Sequence, residues 1–249
     1  MTGKKRILAA SNPEECGDWS GAAVVVDVLR CSTNICAMLV RGKPFVRIYA
    51  DKDAAVAWHD ANPGSEFFSE LDYPEGFVKY DNSPWQALHS DPAKPAVLVT
   101  GAGTRAMLSL KKASSLHVGC FANFPWIAEK VAAMTEDVLI VPAGLFYLNH
   151  AEDRLCAGAI KAAALGCHDC AQAALAEFKK TGRPEEFLSI RGEAEASVKY
   201  TAPNGETGNA HAQKDLELAA TIGSLKALPV ITLEGDHAIA RNELVQESI

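Results

Sequence analysis

The chain has 249 residues, 48% hydrophobic and 22% charged, close to the globular average, which excludes wholesale disorder. At about 100–200 residues per domain it makes one large domain or two modest lobes, and such a length buries roughly 70% of its unfolded surface. Its 31 acidic residues against 24 Lys and Arg leave a net charge of −7. That excludes the basic face required by nucleic acid or an anionic membrane, but not a small anionic ligand held in its own pocket.

The first six residues end in Lys4-Lys5-Arg6, but only Ile7-Leu8-Ala9-Ala10 follow before Ser11-Asn12-Pro13, too short an apolar core for a signal peptide. No stretch reaches the ~18 apolar residues of a membrane span. A cytoplasmic protein is expected. Cys16, Cys31, Cys36, Cys120, Cys156, Cys167 and Cys170 are odd in number and read as reduced thiols. Cys167-His168-Asp169-Cys170 has the spacing of half a zinc site without its second half, so free thiols around a helix start are the better reading.

Short β-rich runs alternate with helical patterns, which predicts an α/β fold, a three-layer α/β/α arrangement around a mainly parallel sheet. Ala22 to Asp27 is an apolar run suited to burial on both faces. Further strands are expected at 46–50, 96–100, 116–119, 138–141 and 230–233. Helices are expected at about 33–41, 52–61, 84–89, 104–112, 124–134, 152–165, 168–181 and 211–225. Pro184 and the run from Pro203 to Asn209 read as turns. The chain reads as a single unit of 1–249, in which two similar lobes of about 1–115 and 116–249 remain an option.

Several helices open with a capping residue directly after a strand or loop: Ser32-Thr33, Ser83, Thr104, Asn123 and Asn149. Ordinary capping accounts for this. In a parallel sheet, however, such starts gather on one rim, where backbone N–H groups and positive dipole ends form a natural anion site.

Asp27-Val28-Leu29-Arg30-Cys31-Ser32-Thr33 is the most loaded segment. Its carboxylate, guanidinium and hydroxyls suit a metal and a phosphate together; a strand-terminal Asp27 paired with Arg30 is the plain structural alternative. A haloacid-dehalogenase mechanism needs an Asp two residues after the first, where Leu29 stands. A cysteine phosphatase needs Arg six residues past its nucleophile, where Cys31 meets Ala37 and Cys36 meets Gly42. Both mechanisms fail. Gly101-Ala102-Gly103-Thr104-Arg105-Ala106 satisfies a loose dinucleotide-binding pattern, yet no Asp or Glu lies between Met107 and Pro125 to hold a ribose. Arg105 instead suits an anion clamp beside Arg30, since guanidinium matches phosphate or sulfonate oxygens in a fork. Glu152-Asp153 at a helix start, Asp215 in a later helix and Glu70 are each ordinary in isolation.

In order, these segments resemble the 2-phosphosulfolactate phosphatase family. Its DVLRAST-type motif is matched by Asp27 to Thr33. Its GNSP motif is matched by Asn82-Ser83-Pro84, with Asp81 in place of the glycine. Its TTNGTRAL motif is matched by Thr100, Gly103, Thr104, Arg105 and Ala106. Its GSFLNA motif is similar to Gly119-Cys120-Phe121-Ala122-Asn123. Ala143-Gly144, Glu152-Asp153 and Ala157-Gly158 match a further segment, and Asp215 with Leu228-Pro229-Val230 resembles its late acid and strand. The matches run in order from about 22 to 233. Gly101 and Ala102 depart from the pattern, as do Asp81 and Leu71-Asp72.

The resemblance implies Mg²⁺-dependent hydrolysis of 2-phosphosulfolactate, a small anionic phosphorylated substrate, to 3-sulfolactate and phosphate. It implies Asp27, Arg30, Arg105 and Asp153 as catalytic residues. Asp27, Glu152, Asp153 and Asp215 would supply oxygen to Mg²⁺, which keeps several waters and needs only one to three carboxylates. Ser32, Thr33, Asn82, Ser83, Gly103, Thr104 and Asn123 would bind substrate. A metal-activated water with a carboxylate base is preferred to Asp27 as nucleophile. Two other readings stay open: an NAD(P)- or flavin-dependent oxidoreductase using the Gly101–Ala106 loop, and a non-catalytic anion-binding relative. A homodimer stays open as well.

Overall fold

The computed structural model describes residues 5–11, 13–144, 150–197, 202–203 and 211–246. It is an α/β fold in which helices flank one nine-stranded sheet. The strands are β1 (Ile7–Ala9), β2 (Ala22–Val26), β3 (Val46–Tyr49), β4 (Glu66–Ser69), β5 (Ala96–Val99), β6 (Ser115–Gly119), β7 (Val138–Pro142), β8 (Pro229–Glu234) and β9 (His237–Asn242). The sheet order is β1-β7-β2-β6-β8-β9-β3-β5-β4. β1, β7, β2 and β6 run parallel to one another, as do β3, β5 and β4. The antiparallel β8–β9 hairpin joins the two groups, and its pairing sense makes them run in opposite directions.

β2, β5 and β7 are buried along their whole length, the both-faces burial that their unbroken apolar runs call for. The helices are α1 (Cys31–Arg41), α2 (Lys52–Ala61), α3 (Pro84–His89), α4 (Gly103–Ser109), α5 (Phe124–Ala133), α6 (Ala151–Ala164), α7 (Cys170–Phe178), α8 (Arg183–Ser197), α9 (Ala212–Ala219) and α10 (Glu243–Gln246). α1 ends at Gly42, whose φ of 104° is open to glycine at no steric cost. The main core gathers apolar residues of β2, β6, β7, α1, α5 and α6, while a smaller cluster of Phe178, Phe187 and Leu216 fixes α8 to α7 and α9.

All six expected strands and all eight expected helices are present, with shifted ends. β1, β4, β9, α8 and α10 are additional. β4 opens on a charged residue, Glu66, which is buried because Lys43 Nζ donates to its Oε2 at 2.6 Å. Pro184 does not mark a turn. It sits in the first turn of α8, where its missing N–H costs nothing. The single rim expected of a parallel sheet is replaced by the ends of two opposed strand groups. Twist of roughly 20–25° per strand step accumulates between β2 and β4, and Asp27, Glu70 and Gly101, each close behind its strand, still line one cavity. Asn149 and residues 204–209 lie outside the described residues.

Candidate active site

A cavity of about 340 Å³ opens at the end of β2, within the range of small-molecule sites. Asp27, Arg30, Asn82 and Arg105 line it, together with Glu70, His150 and four residues of α8, Arg183, Phe187, Ile190 and Arg191.

Asp27 leaves β2 and turns back onto α1, where its Oδ1 accepts from the Cys31 N–H at 3.0 Å. A carboxylate is favourable there because the first helical N–H groups lack intrahelical partners. Ser32 Oγ closes the same turn by accepting from the Asp27 N–H at 3.0 Å, and Thr33 Oγ1 donates to the Val28 carbonyl at 2.8 Å. Gly103 packs against this turn so tightly that a Cβ on it would lie 2.6 Å from Asp27 Oδ2 and 2.6 Å from Cys31 Cβ. The glycine is needed for close approach.

Behind Asp27 stands Asp153 in the first turn of α6, accepting from the Val28 N–H at 2.7 Å. Burial pushes Asp27 up to about 6, with Glu70 and Glu152 adding to the rise and the Cys31 N–H and His150 opposing it. Burial also raises Asp153 well above the carboxylate range, helped by Asp27 and Glu152. Glu70 forms no ion pair among the described residues: its Oε1 accepts from the Gly101 N–H at 2.7 Å, and its Oε2 is buried without a hydrogen bond among them. Burial raises this carboxyl too.

The cationic half of the cavity is built around Arg30. Its Nη1 lies 2.7 Å from Asp81 and 2.8 Å from Asp215, and its Nη2 is buried with no partner among the described residues. Burial opposes the charge, but the two carboxylates outweigh it and hold Arg30 protonated. Burial pushes Asp215 up, whereas Asp81 sits below the carboxylate range because Arg30 and Arg191 outweigh its burial. Arg183 caps Glu152, its Nε donating to both carboxylate oxygens at 3.1 and 3.2 Å. Arg105 stands exposed at the cavity edge.

The family model for 2-phosphosulpholactate phosphatase matches residues 8–234. The chain belongs to that family. It is 28% identical over 84% of its length to a protein of Symbiobacterium thermophilum named "Probable 2-phosphosulfolactate phosphatase", covering 91% of that chain. It is 30% identical over 79% of its length to the 2-phosphosulfolactate phosphatase of Methanothermobacter thermautotrophicus, covering 88% of that one. A Prochlorococcus marinus protein, also named as a probable 2-phosphosulfolactate phosphatase, is 33% identical over 55% of this chain and 59% of its own.

Among the residues that the family resemblance points to, Asp27, Arg30, Asn82 and Arg105 lie at the cavity wall. The others are not part of its lining. Ser83 Oγ donates to Asp215 Oδ1 at 2.7 Å, and Thr104 Oγ1 donates to the Thr100 carbonyl at 2.8 Å. Asn123 accepts from the Cys120 N–H at 2.8 Å and donates to the Val118 and Ala227 carbonyls. Asp215 has its oxygens taken by Arg30, Ser83 and the Trp85 N–H, and Glu152 by Arg183.

Arg183 and Arg191 escaped the sequence, and Glu70 read there as ordinary. One signal was available: Arg183, Phe187, Ile190 and Arg191 sit at i, i+4, i+7 and i+8, a single helix stripe that mixes charge with apolar side chains.

Whether the donors suit a hard divalent cation is answered by the acids themselves. Among the described residues no three His, Cys, Asp or Glu side chains form a closed metal cluster. Asp27 and Asp153 are crowded carboxylates: Glu152 opposes the ionisation of both, and Asp27 also opposes that of Asp153. A divalent cation reverses that penalty, and Mg²⁺ asks for only one or two carboxylates. The residues fit it.

Proposed function

We propose that this chain is a magnesium-dependent phosphatase acting in the cytoplasm on the phosphate monoester of a small sulfonated or carboxylated hydroxy acid, foremost 2-phosphosulfolactate, releasing 3-sulfolactate. The observation that carries this reading is one small cavity lined by two carboxylates, Asp27 and Glu70, and four arginines, Arg30, Arg105, Arg183 and Arg191. The names of the relatives support the substrate.

Asp27 and Asp153, with Glu152 beside them, would hold Mg²⁺, which when bound supplies charge neutralisation and a more acidic water. Phosphate monoester transfer spreads charge over the equatorial oxygens, so positioned positive groups do most of the work. Arg105 reaches in from the edge for that role, while Arg30 is held at the cavity wall by its two carboxylates. Asn82 is held by the Asn34 amide, whose Nδ2 donates to Asn82 Oδ1 at 2.8 Å, leaving its own amide N–H groups for substrate. Glu70 Oε2, unpartnered and made more basic by burial, is placed to accept the proton of an attacking water. Ser32, Thr33, Ser83, Thr104 and Asn123 act by holding the loops, with Gly103 admitting their close approach.

The nucleotide-cofactor alternative gains nothing here: the Gly101 N–H that would face a pyrophosphate already donates to a carboxylate. The deciding experiment is a phosphate-release screen over phosphorylated hydroxy acids, 2-phosphosulfolactate included, with and without Mg²⁺. Release only with Mg²⁺ is expected. No release from any member, with sulfolactate still binding, would leave an anion-binding relative.

A further inference from the structure

α8 carries two arginines into the cavity with different fates. Arg183 is spent on Glu152 and Glu186, to which its Nη1 donates at 3.0 Å. Arg191 has no ion pair among the described residues, and its Nε is buried without a hydrogen bond. The guanidinium carbons of Arg30 and Arg191 lie 5.7 and 5.9 Å from the centroid of the same Phe187 ring. Two like charges thus share one aromatic ring at the cavity wall, one with a spare Nη2 and the other with no ion pair among the described residues. The Arg30 charge is the leading reason that Arg191 loses its proton more readily than an ordinary arginine. Buried donors without acceptors are costly, and guanidinium matches a planar or tetrahedral oxyanion in a fork.

We propose that Arg191, with the spare Nη2 of Arg30, is the specificity-determining seat for the substrate's second acid group, the sulfonate or carboxylate carried beside the phosphate ester. This rests on the phosphatase reading for the identity of the substrate, but the seat itself is a property of the cavity. A substrate whose phosphate faces Asp27 and Arg105 puts its second acid toward Phe187. The ring gives that group an apolar flank and the two arginines supply its charge. A plain phosphate monoester leaves the seat empty and gains nothing from it.

The test uses the full chain and three substrates: 2-phosphosulfolactate, 2-phospholactate, which lacks only the sulfonate, and isopropyl phosphate, which lacks both acids. Arg191→Gln is expected to raise KM for 2-phosphosulfolactate about 10–100-fold, the loss of one or two charge-assisted hydrogen bonds. It should change kcat only a few-fold and leave isopropyl phosphate unaffected. If the penalty falls equally on 2-phospholactate, the seat holds the carboxylate; if it is confined to 2-phosphosulfolactate, it holds the sulfonate. Arg191→Lys should recover part of the loss. An equal penalty on isopropyl phosphate, or none on any substrate, overturns the proposal. Titration calorimetry with 3-sulfolactate separates it from the catalytic reading. If the wild type turns over none of the three yet binds 3-sulfolactate at least tenfold better than Arg191→Gln, the phosphatase reading fails and the seat stands. If nothing turns over and the two bind equally or not at all, the seat fails too.

Discussion

Arg30 and Asp215 stand 185 residues apart in the chain and 2.8 Å apart in the fold, both withdrawn from solvent. Asp215 also accepts from Ser83 Oγ and the Trp85 N–H, so one carboxylate ties α9 to the start of α3 and to the loop that enters α1. Removing it leaves the buried guanidinium with Asp81 alone and takes the acceptor from two donors. Asp215→Ala is expected to cost about 3–5 kcal/mol, measured by urea denaturation, whereas Asp215→Asn keeps an acceptor and should cost less. Equal losses in the two variants would argue against the ionic tie.

Asp27 and Cys31 share a turn but not a role. Burial raises the Cys31 thiol well above its ordinary range, with Asp27 adding to the rise, and a thiol that resists ionisation is a poor nucleophile. Asp27→Asn should therefore abolish Mg²⁺-dependent phosphate release, and Cys31→Ser, a smaller group in the same space, should retain it within a few-fold. Loss of activity in Cys31→Ser with an unchanged melting temperature would revive covalent catalysis by sulfur.

Glu70→Gln keeps the shape of the side chain and removes the base. A general-base role predicts a fall in kcat of about 10²–10⁴-fold with KM little changed. A rise in KM at constant kcat would make Glu70 a binding residue instead.

Gly103 leaves no room for a methyl group against Asp27 and Cys31. Gly103→Ala is expected to destabilise the fold by about 1–3 kcal/mol, the usual cost of overpacking, and to cut activity more than tenfold by shifting Asp27. A fully active variant would mean that the turn yields without disturbing the carboxylate.

Lys79 is buried, its Nζ donating to the Ser69 carbonyl at 2.6 Å. Burial lowers its pKa to about 8, with Asp81 and Glu70 resisting the fall. Between about pH 8 and the ordinary lysine value the unfolded chain keeps a proton that the folded chain has released. Its contribution to stability therefore rises with pH through that window and is unfavourable below it. Lys79→Met should be more stable relative to wild type at pH 7 than at pH 10, by denaturant titration at both. A gap that widens with pH would reverse the sign.

The sequence made the fold class legible because the long apolar runs of β2, β5 and β7 have few alternatives to burial on both faces. The β8–β9 hairpin was half visible: β9 reads His-Ala-Ile-Ala-Arg-Asn, polar at its ends, and its strand character comes from pairing with β3 and β8. Site residues were legible where a motif kept them local, as with Asp27 and Arg30. Arg191 could not be found that way, since its meaning depends on a ring, Phe187, shared with an arginine from the other end of the chain. Nor did spacing reveal that Asp215 faces Arg30, because that pairing is made by how α9 packs on α3.

The hairpin in the middle of the sheet has a consequence for how the molecule is made. β3 borders β5 on one side, but its other edge stays open until β9 has been synthesised, some 190 residues later in the chain. Of the sheet's two parallel groups, each finishes its own pairing early, and only the last pair of strands welds them. During translation the nascent chain thus carries two unprotected strand edges, on β6 and on β3, and such edges invite partners from other chains. The final hairpin closes both at once, so the chain becomes one sheet only when its last strand arrives.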